Sequence, residues 1–505
     1  MSSSAHETDP LLLHQPTTDR KPSFAWLIPV VALASICRGI SMFTRFEHYQ
    51  KTFCPDFNYS CGWFAVWLEL PSITVMIQTW GVWASFVVSF ISVGWWSELG
   101  DRRGRKIVLL FSIIGTVFLD LMYLVVANTR LSRDDAEDAL SVGLIVEGLL
   151  GGFATYNGVI HAYAFDVASS TLSRPVLFGF IDALSFAGFA IGAIIGKFTR
   201  YNVSYLFSII IAIINLAFIY ALLPESHKQQ QRTTPRRSVF KSIFSPISVF
   251  FRSGQSSKYL PLFGLAFYVY SLTSAMETSL LRFTKSYNRL PGLPPWLLLV
   301  GPRVLDLAIL LCIFPALAFF WQRKHGRTRA AGLRLALTLS QNSILIAAAS
   351  CVAILVFCLT IRTPTPYGEP QLLYTLFAPL YPLGAAIARP ALYALGSTVF
   401  AAAGHRGEIG VLFGALSVWG ELGIYMSVRR VSLSDSSFSV FIADTGVLIQ
   451  YSMYTQRSDI FWLSAFFLVV TLMLLLPDPP PPLVQDEEER ASQPGMDGGI
   501  SEVVA

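Results

Sequence analysis

The sequence predicts an all-α integral membrane protein, with about twelve transmembrane helices in two pseudo-symmetric six-helix bundles. Three observations predict it. Of 505 residues, 53% are hydrophobic and only 14% charged, where a soluble globular chain carries about 25% charged residues. Apolar runs recur near the ~20 residues a helix needs to cross the hydrocarbon core. Two glycine-centred patterns also repeat at one spacing, Gly104 to Gly326 and Gly188 to Gly410, both 222 positions apart. A shared offset is expected of two parallel halves.

The apolar runs fall near 25–43, 77–96, 107–127, 140–164, 176–197, 203–223, 258–278, 296–320, 340–361, 371–396, 408–428 and 459–477. They divide the chain into a disordered cytoplasmic tail (1–24), an N-terminal six-helix bundle (25–223), a Gln/Ser/Arg-rich linker (224–257), a C-terminal six-helix bundle (258–477) and a disordered acidic tail (478–505). Residues 1–24 are polar and the first run is too long for a signal-peptide core, so that run is expected to stay as an uncleaved anchor. An even number of spans puts both termini on one side. The base-rich stretches at Ser97–Lys106, 224–257 and 321–334 share that side, and the acidic loop 128–139 lies opposite. Cytoplasmic termini are therefore expected.

Outside the spans, Cys54 and Cys61 share a polar loop with the sequon at Asn58. A disulfide and a glycan are both allowed if that loop faces an oxidising lumen. Glu7-Thr8-Asp9-Pro10-Leu11-Leu12 fits an acidic dileucine signal that a sorting adaptor would read through Leu11 and Leu12. The plasma membrane and the vacuolar membrane are both open as destinations.

The charge-dense stretch Ser97-Glu98-Leu99-Gly100-Asp101-Arg102-Arg103-Gly104-Arg105-Lys106 lies between the second and third spans. Read as Ser-x-Leu-x-Asp-Arg-x-Gly-Arg-Lys, it resembles the signature loop of the major facilitator superfamily, with Ser97 where that motif usually has glycine. Lys324-His325-Gly326-Arg327 is a reduced copy in the second half. Asp166, Arg174, Phe178-Gly179 and Leu223-Pro224-Glu225-Ser226 make the chain most similar to fungal members related to proton-coupled folate and tetracycline-type carriers. The resemblance implies two six-helix bundles rocking about a central cavity. It also implies a conformational latch of Asp101, Arg102, Gly104 and Arg105, with Asp166 and Arg174 as a second pair. Two motifs depart from the pattern. Glu147 stands where an arginine is usual, four residues before Gly151. The fifth span keeps Gly188, Gly192 and Gly196 but lacks the antiporter-associated proline, which leaves the direction of transport open. These glycines are also what close helix packing needs.

Ionisable side chains inside spans are costly and mark candidate functional positions. Arg38, Asp120, Glu147, His161, Asp182, Arg303, Asp306, Arg389 and Glu421 qualify. Glu147, Asp182 and Asp306 are the proton-coupling candidates, and Arg38, Arg303 and Arg389 the substrate-contact candidates. Glu147 lies roughly 10 Å inside the non-cytoplasmic end, at ~1.5 Å per residue. Each has a plainer alternative: Glu147 as the partner of a base such as Arg38, Arg303 and Asp306 as an i,i+3 pair on one helix face, His161 as a packing histidine.

The seven histidines are scattered and no phosphate-binding glycine loop is present. No metal, cofactor, enzymatic activity or nucleic-acid partner is expected. The reading is a secondary active transporter of a small solute, coupled to protons through alternating access. The alternative is a transporter-like membrane sensor that binds without net flux.

Overall fold

A computed structural model describes residues 21–53, 80–129, 131–168, 173–226, 242–252, 259–274, 276, 304–325, 329–360, 380–439 and 448–476. The described residues are helical nearly throughout. In chain order the helices are α1 (Leu27–Phe53), α2 (Trp80–Arg103), α3 (Arg105–Asn128), α4 (Arg133–Leu149), α5 (Gly152–Val167), α6 (Ser173–Phe198) and α7 (Tyr201–Ala221). The second half supplies α8 (Tyr259–Ser271), α9 (Phe314–His325), α10 (Arg329–Thr360), α11 (Leu380–Phe400), α12 (Ile409–Ser439) and α13 (Leu448–Leu475). Among the described residues, eight helical runs are long and apolar enough to cross a membrane, and α8 and the apolar end of α13 are shorter apolar helices. The loop holding Cys54, Asn58 and Cys61, the Leu11-Leu12 segment, Arg303 and Gly326-Arg327 lie outside the described residues.

In the first half α1 lies along α6, and glycine makes the approach possible. A Cβ on Gly188 would meet Ser35 at 2.7 Å, and one on Gly192 would meet the backbone of Ile36 and Ile40 at 2.9 Å. Gly39 fits in return against the backbone of Phe189 and Ala193. Small residues let helix backbones close where no hydrophobic gain between helices is available. Gly192→Val should therefore lower thermal stability and detergent-solubilised yield, because backbone cannot yield as a flexible side chain does; an unchanged melting curve would show that α1 can shift away freely.

A buried carboxylate ties the same bundle at depth. Asp120 on α3 accepts from Ser41 (2.7 Å) and Ser208 (2.6 Å) and pairs with Arg45 at 2.6 Å. Those partners lie on α1 and α7, so one ionised group with its hydrogen bonds satisfied fixes three helices. Asp120 thereby has a structural role.

The helices depart from the apolar runs in instructive ways. The acidic stretch around 134–138 is not loop but the first turns of α4. The Ser132 side chain accepts from Asp135 N at 3.2 Å, and Asp134 and Asp135 sit at the positive helix end. The fourth span is not one helix either. It breaks at Gly151 (φ 105°) and Gly152 (φ 54°), conformations that favour glycine. The carbonyls freed at the end of α4 find donors on α2: Ser92 bonds Gly148 O at 2.7 Å and Trp96 Nε1 bonds Leu149 O at 2.9 Å. In lipid such a break is tolerated only when its backbone groups are satisfied again.

In the second half α10 packs on α11 and α13, and α8 on α12 and α13. Gly384 fits against the backbone of Ser343 and Ala347. Between α11 and α12 the backbone leaves the helical path at Gly404 (φ 89°) and makes a 3-10 turn over Arg406–Glu408. That kink aims the first turn of α12 at the loop between α2 and α3.

Candidate functional site

The end of the molecule carrying Asp101 is where the two halves lock. Asp101 Oδ1 accepts from Gly410 N at 3.0 Å and Oδ2 from Val411 N at 3.1 Å. These are orphan donors in the first turn of α12, where the helix macrodipole favours an anion. Arg105, whose side chain is wholly buried, pairs with Asp101 at 2.6 Å and with Asp166 at 3.3 Å. A second carboxylate repeats the device inside the first half. Glu225 accepts from Arg105 N at 2.8 Å and Lys106 N at 3.2 Å, capping α3. Gly104 (φ 112°) opens that turn, and Glu225 fills the space where its Cβ would be. Ser226 donates to Asp166 at 3.2 Å and Tyr163 to Pro224 O at 2.9 Å, so the start of the linker is stitched to the latch.

Further along the chain, residues 242–252 touch both halves. Ser242 donates to Glu98, which also pairs with Arg102. Ser242 and Ser245 occupy the space beside Gly94 on α2, and Trp419 Nε1 on α12 donates to Pro246 O at 3.1 Å. Arg252 pairs with Glu408, and Phe250 packs where Gly264 on α8 leaves room. Residues 242–252 thus strap α2 to α8 and α12 at the latch end.

From the latch inward, the halves meet along α5 and α12. Gly158 and Gly414 cross so closely that a Cβ on Gly158 would sit 2.9 Å from Gly414 Cα and N. Deeper still, Asn157 Nδ2 lies 3.4 Å from Tyr393 Oη and 3.5 Å from Ser417 Oγ. His161 is buried between Phe178, Tyr393 and Phe413, with ring centroids at 5.4, 4.5 and 5.9 Å. Its Nε2 faces Asp182 Oδ1 at 3.8 Å. Arg389 on α11 acts electrostatically on both His161 and Asp182.

Around Glu147 the charges alternate in sign. The Arg38 guanidinium lies 3.1 Å over the Phe153 ring, within the field of Glu147 on α4 and Glu421 on α12. Glu147 also acts on Arg45, the partner of Asp120, and receives Thr116 Oγ1 at 3.5 Å. The order Asp120, Arg45, Glu147, Arg38, Glu421 therefore leads from α3 through α1 and α4 to the second half.

Among the residues singled out in the sequence, the structure gathers Asp101, Gly104, Arg105 and Asp166 at the latch. Arg102 turns outward to Glu98, and Arg174 lies 4.0 Å over the Phe165 ring. Glu147 and Arg38 act on each other electrostatically, and Asp182 and Arg389 do so at the second cluster. Asp306 is buried just before the π-turn Ile309–Ile313. Arg45, Asn157, Tyr393 and Ser417 join the site unforeseen. Arg45 had a signal, since it lies seven residues after Arg38 and so shares its helix face; the other three are ordinary polar residues whose partners sit in the opposite half.

The same fold is found in known proteins. The profile of the Major Facilitator Superfamily matches residues 27–427. The chain is 27% identical over 186 residues to the MFS-type transporter avaJ of Aspergillus versicolor, a match spanning 35% of each chain. Its fold is similar to the human organic anion transporter MFSD10 (TM-score 0.62, 18% identity, 89% of this chain and 100% of that one). It is similar also to the proton:xylose symporter XylE (0.60, 12%, 90% and 95%). A bacterial ferroportin homologue in an outward-facing state gives 0.58 at 13% identity, over 90% of this chain and 98% of that one.

Proposed function

The chain belongs to the Major Facilitator Superfamily and is a multi-pass membrane transporter, and on that premise we propose that it moves a small solute by proton-coupled alternating access. Arg38 carries the reading. It is a half-buried cation, with its guanidinium over the Phe153 ring, in the field of Glu147 from its own half and of Glu421 from the other. When the halves rock, the field of Glu421 is withdrawn from Arg38 while that of Glu147 stays. A proton on Glu147 frees Arg38 for the other half or for an anionic group of the solute, and deprotonation draws it back. Because a ligand can shift a two-state equilibrium only through its differential affinity, a cation whose partners differ between states is the needed element. Arg389 and Arg303 are further candidate solute contacts, and Asp306 remains a third candidate proton carrier.

The latch is proposed to mark the cytoplasmic side, with both termini there, so that the described conformation is closed to the cytoplasm. The base-rich loops around it support that orientation. The vacuolar and plasma membranes both fit, and the likeness to folate and tetracycline-type carriers belongs to this proposal.

The test compares untargeted metabolite profiles of cells overexpressing the protein and its Glu147→Gln variant, in acidic and in neutral medium. Solutes whose level follows the wild-type protein should change with external pH, and the variant should lose that pH response. Wild-type solute flux indifferent to an imposed proton gradient would remove the coupling.

A further inference from the structure

His161 was readable from the sequence as a packing residue, and its surroundings assign it a different task. The ring nitrogen Nδ1 lies 2.8 Å from Asn157 O. A carbonyl oxygen can only accept, so Nδ1 carries the ring's proton in the neutral tautomer. Nε2 is then a bare acceptor, and it faces another acceptor, Asp182 Oδ1 at 3.8 Å. Among the described residues, neither His161 Nε2 nor Asp182 Oδ2 has a hydrogen-bond partner, and both side chains are more than nine-tenths buried. Nε2 has no donor among those residues, and the Asp182 carboxyl group holds a second buried oxygen, Oδ2, that has none either, at the expense that buried polar atoms carry. One proton bound by the pair gives it the donor it lacks.

We infer that His161 and Asp182 form a binding site for a single proton, shared by the pair and distinct from the Glu147 cluster. The groups facing it are Asp182 from α6 and Arg389 and Tyr393 from α11, while α12 contributes the uncharged Phe413 ring. Phe178 comes from the first half and Tyr393 and Phe413 from the second, so this cage closes only while the halves are together. A proton here is therefore sealed in by the closed latch end and gains access to water when the halves part. The single proton belongs to the pair as a unit, since tightly coupled sites titrate together.

The inference rests on the proton-coupled reading for its use in transport, but the site itself does not. The experiment is nitrogen NMR of the full chain in lipid nanodiscs, with ring-labelled histidine and no solute added. One histidine, missing in His161→Gln, should be an Nδ1-protonated tautomer at alkaline pH and should change its Nε2 signal on acidification. In Asp182→Asn the amide N–H donates to Nε2 at every pH, so that change should vanish while the Nδ1 signal stays. An Nε2-protonated tautomer throughout, or an identical titration in Asp182→Asn, would overturn the site. If the titration appears as expected but solute flux ignores the proton gradient, the site stands and the coupling falls.

Discussion

Asp101→Asn is expected to cut solute flux by at least about tenfold while leaving membrane insertion intact. The variant keeps the shape of the side chain and one acceptor oxygen. It loses the charge that pairs with Arg105 and that favours the first turn of α12. Hydrogen bonds to a charged acceptor, such as the two from Gly410 N and Val411 N, contribute about 1.5–3 kcal/mol each. Each ~1.4 kcal/mol is tenfold in an equilibrium, so even about 3 kcal/mol moves the balance between states roughly a hundredfold. The two bonds to Gly410 and Val411 cross the seam and exist only when the latch end is closed, whereas the Asp101–Arg105 pair lies within the first half and is lost in both states. The population should move toward the conformation open at the latch end, with thiol probes there reacting faster. Arg105 would be left buried with Asp166 as its remaining anion, and Arg105→Gln added to Asp101→Asn should restore part of the flux. Insertion depends on the apolar runs of α2 and α3, which the change leaves untouched. Normal flux with unchanged probe rates would remove the latch.

Physical reasons separate what was legible in this sequence from what was not. In lipid, length and hydropathy decide where helices lie, so the runs that became α3, α6 and α7 could be read closely. The order of charges in Asp101–Lys106 was readable too, because a short polar turn between two spans has few other places to put them. The break at Gly151 was not, since Gly151-Gly152 sits inside an apolar run and its free carbonyls are satisfied by Ser92 and Trp96, more than 50 residues earlier. The start of α4 was hidden by its own acids, which read as a loop until Ser132 supplied the cap. Tertiary partners were the least visible. Nothing local announces that Arg38 lies in the field of Glu421, or that His161 faces Asp182, because each pair is made by helix crossings. The glycines illustrate the same point. Gly188 and Gly410 share an offset, but the first packs α6 on α1 within one half and the second meets the latch across the seam.

That difference predicts a second large effect, with Gly158→Leu expected to trap the transporter. A Cβ at position 158 would come 2.9 Å from Gly414 Cα and N and 3.0 Å from Phe413 C. These are backbone atoms, which cannot swing aside, and a leucine adds three more carbons to the same gap. Overpacking of this kind costs roughly 1–3 kcal/mol where side chains can adjust, and more where backbone must move. Within a bundle, as at Gly192, the strain falls on the fold. At Gly158 it falls on the seam, so each half can fold normally and the molecule avoids the clash by holding the latch end apart. The expected result is near-normal expression and melting temperature with transport reduced at least about tenfold, and a cysteine pair placed across the seam should no longer cross-link. Gly414→Leu, which collides with Ser97 from the other side of the crossing, should trap the same state. Combined with Gly158→Leu it should add little, because one open seam relieves both clashes. Unimpaired cross-linking in Gly158→Leu would mean that α5 and α12 can slide past each other, and closure would then not depend on this crossing.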